Sequence, residues 1–81
     1  MSTLNMTLAG NRFRRRGRVE VDGLADLPVL ILAISEVGAR FSVADPAQVP
    51  GAFTLVIEPQ QIRMACQTLW RSGDEVGVRF D

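Results

Sequence analysis

Five arginines stand within seven residues in RFRRRGR, Arg12 to Arg18, and the chain contains no lysine. A guanidinium is a planar fork of donors that stays charged at any physiological pH. It grips a phosphate or carboxylate through two parallel bonds, a geometry an ammonium cannot reproduce. Such a cluster predicts capture of an anion with a defined shape. Other reactive side chains are scarce: the sequence has no histidine, no tyrosine and a single cysteine, Cys66. Imidazole bases, lysine Schiff bases and metal clusters with His/Cys spacing are therefore ruled out, and the serines have no base beside them. The carboxylates fall on turns and outer strand positions. The expectation is a binding protein and not an enzyme, with no metal and no cofactor.

The charge map sharpens this. The formal net charge is zero, yet outside the cluster only Arg40, Arg63, Arg71 and Arg79 face nine carboxylates, a formal charge of minus five. That asymmetry points to an anionic partner for the basic segment, with a body that repels nonspecific polyanions. A second candidate site is AISEVGAR, Ala33 to Arg40, where one strand hands over to the next. Gly38 can adopt a backbone conformation closed to other residues and lets a ligand approach the main chain, while Ser35 offers a short donor and acceptor beside it. An ordinary turn or bulge explains the same residues locally.

Period-two alternation supplies the elements that must position these groups. GRVEVDG puts Val19 and Val21 on one face and closes on an Asp-Gly turn signal. PVLILAIS reads as a strand buried on much of both faces, and GARFSV as a short alternating strand. ADPAQVPGA is a loop, FTLVIEP alternates again, and IRMACQTLWR sets Ile62, Met64, Cys66, Thr68 and Trp70 on one face. VGVRF closes the chain with Val76, Val78 and Phe80 in phase. About six short strands and no helical pattern predict an all-β fold, a small six-stranded antiparallel β-barrel in which closure hides both edges. Phe41, Phe53, Trp70 and Phe80 are the expected core, with Cys66 a buried inert thiol. Residues 17–81 form the barrel, and residues 1–16 are a flexible arm carrying self-repelling charge, with Gly17 as its hinge. One cysteine fits a reducing compartment, no apolar run reaches the ~20 residues of a membrane span, and MSTLNMTLAG lacks a signal peptide's basic start. The expected location is cytoplasmic.

The arginine cluster, S-x-x-G-A at a strand junction, FTLVI, C-x-x-x-W-R and the closing VGVRF together make the chain, from Arg12 to Phe80, resemble the short single-domain bacterial PilZ proteins. The resemblance implies a six-stranded barrel that receives cyclic di-GMP, through R-x-x-x-R in an N-terminal segment and [D/N]-x-S-x-x-G on the barrel. Arg12 with Arg16 satisfies the first motif, and Arg14 with Arg18 is a second register. The first is preferred because Arg18 adjoins the first strand. Ser35 and Gly38 satisfy the second motif, but Ala33 stands where the family has Asp or Asn. Arg15 and Arg40 complete the candidate set.

A ligand of guanines and phosphates also explains the choice of arginine. The fork matches guanine O6 and N7 as well as phosphate, and its flat face stacks on a purine. Losing an acidic partner at Ala33 would cost about 1–3 kcal/mol, one to two decades of affinity. Ligand held at Ser35 and Gly38 would fold the arginine arm onto the barrel and present a new surface to an effector protein, as in control of motility or surface attachment. The alternative is a degenerate PilZ domain that binds no cyclic di-GMP and serves as a protein–protein adaptor. A third reading, a barrel for single-stranded nucleic acid, meets an acidic body and no outward aromatics.

Overall fold

The computed structural model describes residues 14–81; of the arm foreseen over 1–16, positions 1–13, and with them Arg12, lie outside the described residues. Six strands follow in chain order: β1 (Arg15–Glu20), β2 (Leu27–Ile34), β3 (Gly38–Val43), β4 (Ala52–Ile57), β5 (Ile62–Ser72) and β6 (Glu75–Phe80), with a 3₁₀ turn at Pro46–Gln48. Every neighbouring pair is antiparallel, and the strands close in the order β1-β2-β3-β6-β5-β4. The expected six-stranded barrel is the observed one. Among the described residues no helix is long and apolar enough to cross a membrane.

The alternating residues build the interior. Val19, Ile31, Phe41, Val49, Leu55 and Val76 are fully buried, and Phe41 meets Phe53 edge to face at 6.1 Å. Each such side chain removed from water contributes about 1.5–3 kcal/mol, so this row carries much of the stability of so small a core. The loop between β3 and β4, which are not neighbours, crosses one end of the barrel and inserts Val49 into the core. Arg71 ties it down, donating from Nε to the Pro46 carbonyl (3.2 Å) and from Nη2 to the Val49 carbonyl (2.6 Å).

Three expectations are corrected. The barrel begins at Arg15, not at residue 17, so Arg15 and Arg16 belong to a strand. Gly17 is no hinge: it is buried in mid-strand, paired with Val29 and Ile57, where a Cβ would sit 2.7 Å from the Val56 carbonyl oxygen. Its small size lets the β1–β4 seam close. Trp70 is not core. A bulge makes Leu69 the extra residue between the pairs Thr68–Val78 and Trp70–Gly77, so the phase flips and Trp70 faces outward, 42% exposed. Its indole lies over Gly77, where any Cβ would collide with it. Phe80 is half-buried at the rim, while Phe41 and Phe53 occupy the core as expected.

Candidate functional site

Arg16, Arg18 and Glu20 share the outward face of β1, because Gly17 and Val19 point inward. Arg18 is fully engaged. Its Nη1 reaches Glu58 Oε2 at 3.1 Å and its Nε reaches Asp26 Oδ2 at 3.0 Å. Its Nη2 lies 3.5 Å from Glu20 Oε2 and donates to Gln61 Oε1 at 3.0 Å. Burial works against the charge, but the Glu58 hydrogen bond and the surrounding carboxylates outweigh it and hold the pKa above the usual arginine value. Arg63 pairs with the same Glu20. Val56, the register partner of Arg18 in β1 and of Arg63 in β5, is completely buried although it lies outside the interior cluster, as expected where long arginine stems lie along an outer face.

The remaining arginines divide sharply. Arg40 Nη1 pairs with Glu75 Oε1 at 2.9 Å, and Arg79 Nη2 donates to Gln67 Oε1 at 2.7 Å. Arg14 and Arg16 are exposed and, among the described residues, enter no ion pair or side-chain hydrogen bond. Arg15 does have a partner.

At the far end of β2, Ser35 and Gly38 form a tight turn. The Ser35 amide donates to the Gly38 carbonyl at 2.8 Å, its hydroxyl donates to the same oxygen at 3.4 Å, and Oγ accepts from the Val37 amide at 3.3 Å. Gly38 does not use a left-handed backbone; Gly23 and Gly73 do. A side chain at Gly38 would instead strike the Val78 carbonyl of β6. The glycine is thus required by close strand packing, a correction to the conformational reason given above.

A bulge at Leu32 sets Ala33 opposite Arg40, and both line a shallow depression with Ser35, Val37 and Gly38. Arg16 and Arg18 line a neighbouring groove with Pro28, Leu30 and Ser42, and three carboxylates, Asp26, Glu58 and Asp74, line it too. The fold therefore gathers Ala33, Ser35, Gly38 and Arg40, and separately gathers Arg16 and Arg18. The two depressions follow one another along the β2–β3 ladder. Arg16 is opposite Leu30, five residues before Ser35, which is ~15 Å along a strand. Arg14 lies two residues nearer that end.

Sequence reasoning missed Trp70. It shares an outer row with Ala33, Arg40 and Gly77, so an aromatic face stands two strands from Arg40. The available signal was the Leu69–Trp70 pair, two consecutive large apolar residues that break the alternation. Trp70 is thus an outward aromatic where none was expected. Cys66 is buried as expected, and burial pushes its thiol up to about 11, which leaves it protonated and unreactive near neutrality. Among the described residues no group of histidine, cysteine and carboxylate side chains could hold a metal ion. The chain matches no protein-family model, no curated protein and no solved structure.

Proposed function

We propose that this barrel is a non-enzymatic receptor for cyclic di-GMP of the PilZ kind, passing the signal to an effector protein. One observation carries the reading: Arg14 and Arg16, which have no side-chain partner among the described residues, lie at or near the start of β1, and β1 starts at the end of the barrel where β2 delivers Ser35. Structural duties occupy Arg18, Arg40, Arg63, Arg71 and Arg79, so free guanidinium forks concentrate where a dianionic ligand could span the two depressions. Arg40, Ala33 and the outward Trp70 would flank its bases, with Arg12 completing the R-x-x-x-R pair.

Calorimetric titration with cyclic di-GMP tests this. Wild type binds, Arg16→Ala weakens binding about ten- to a hundredfold, and Ala33→Asp strengthens it. Absence of heat in all three proteins sinks the receptor reading. One observation favours the adaptor alternative: Ser35 Oγ and the Gly38 carbonyl already bond to each other, and Gly38 has a packing reason to be glycine. In that case the free arginines meet an acidic protein surface, and binding to a partner survives without nucleotide.

A further inference from the structure

The end of the barrel opposite Ser35 carries an apolar groove of about 400 Å³, lined by Val21, Leu24, Ala25, Leu27 and Gln48. Leu24 tops the turn that Gly23 makes with φ +78° and is 67% exposed, an unusual place for a large aliphatic side chain. Two exposed carboxylates adjoin the lining residues in sequence: Asp22, next to Val21, and Asp45, three residues before Gln48, whose Oδ1 accepts from the Ala47 amide. Among the described residues neither belongs to an ion pair. The groove thus asks for an apolar side chain flanked by positive charge.

The chain carries one such stretch: Phe13 between Arg12 and Arg14. A molecule cannot satisfy its own groove. The six residues of β1 span about 20 Å between Arg14 and the Leu24 turn, whereas the two residues from Phe13 to Arg15 extend at most ~7 Å. We infer that the groove receives the Phe13 segment of a second copy of this chain, with Arg12 and Arg14 beside Asp22 and Asp45. The contact joins unlike ends, so it is heterologous: it leaves one groove and one basic segment free in every dimer and builds chains or rings. A net charge of zero removes the long-range repulsion that would oppose it.

The inference is independent of the ligand proposed above, and its test uses no nucleotide. Sedimentation of wild type at low salt should show a mass that rises with concentration above the 8.9 kDa of one chain and falls toward it as salt is added. Two surface variants then separate the ends. Leu24→Lys spoils the groove and Phe13→Glu spoils the segment; each alone stays monomeric, with near-ultraviolet dichroism reporting an intact fold. Mixed in equal amounts they retain one good groove and one good segment, so they form a dimer and nothing larger. A monomeric wild type at every concentration, association persisting in either single variant, or a mixture that stays monomeric overturns the inference.

Discussion

Arg16 and Arg18 are two residues apart on one face of one strand, and they have opposite fates. Arg18 is ringed by Glu20, Asp26, Glu58 and Gln61, which hold its fork in one place. Arg16 stands opposite Leu30 on the same sheet and, among the described residues, enters no ion pair or side-chain hydrogen bond. The contrast arises from the loops. The turn after β1 returns Asp26 beside Arg18, and the turn after β4 brings Glu58 and Gln61, whose left-handed backbone (φ 61°) carries its side chain to Arg18. Among the described residues no carboxylate pairs with Arg16, although Asp26, Glu58 and Asp74 line the same groove. A run of identical residues is therefore divided by its environment into a scaffold part and an available part.

The strand that holds both arginines is the most severe way to break this comparison. Gly17 sits between them, and Gly17→Val would push its side chain against the Val56 carbonyl and Ile31 at the seam that closes the barrel. Overpacking of this kind costs about 3 kcal/mol, a large part of a small domain's stability. Urea unfolding should show a strongly lowered midpoint. An unchanged midpoint would mean the β1–β4 seam is loose and that Arg18 is not held by the fold as described.

Why the division was invisible in the sequence follows from the same geometry. The strands were legible because Val19, Ile31, Phe41, Leu55 and Val76 alternate with polar or outward residues, and a sheet has no other way to bury one face. Barrel closure was legible because six such strands in 81 residues leave no room for a second layer. A bulge, however, shifts phase without any distinctive residue, so Leu69 sent Trp70 outward and Leu32 reset Ala33 against Arg40. Gly17 and Gly38 looked like sites of backbone freedom, yet each answers to a carbonyl on a neighbouring strand far away in sequence. Likewise, the partners of Arg18 come from 8, 40 and 43 residues away.

A smaller effect sharpens the comparison. Arg18→Ala leaves Glu58, Asp26 and Glu20 facing each other and uncovers Val56, so it should lower the unfolding midpoint, whereas Arg16→Ala should leave it unchanged. The gap should narrow in high salt, since these groups are partly exposed. Alkaline pH provides an internal control, because arginine keeps its charge there. The Cys66 thiol rises from 9.0 to about 11 in the folded protein. Between these values the unfolded chain loses a proton that the folded one keeps. Stability is therefore complete below pH 9 and declines by about 2 kcal/mol as pH approaches 11. Cys66→Ala removes that slope, while the difference between the two arginine variants persists across it. A difference that vanished with the slope would tie Arg18 to the core and not to its carboxylates.

The last test concerns the available arginine alone and has the least effect on the fold. Arg16→Lys keeps the charge and the aliphatic stem, and being exposed it should leave the unfolding midpoint where it was. What it removes is the fork. If Arg16 holds phosphate or guanine through two parallel bonds, lysine should bind cyclic di-GMP about as poorly as alanine does, because a single ammonium cannot fill both positions. If the arginines supply only a positive field, lysine should restore wild-type binding, and the affinity of both proteins should fall equally steeply with salt. The absence of lysine from the whole sequence is consistent with the first outcome, since a field alone gives no reason to prefer one cation. Recovery by lysine would turn Arg16 from a shaped contact into a diffuse one, and would transfer the reading to the adaptor that meets an acidic surface.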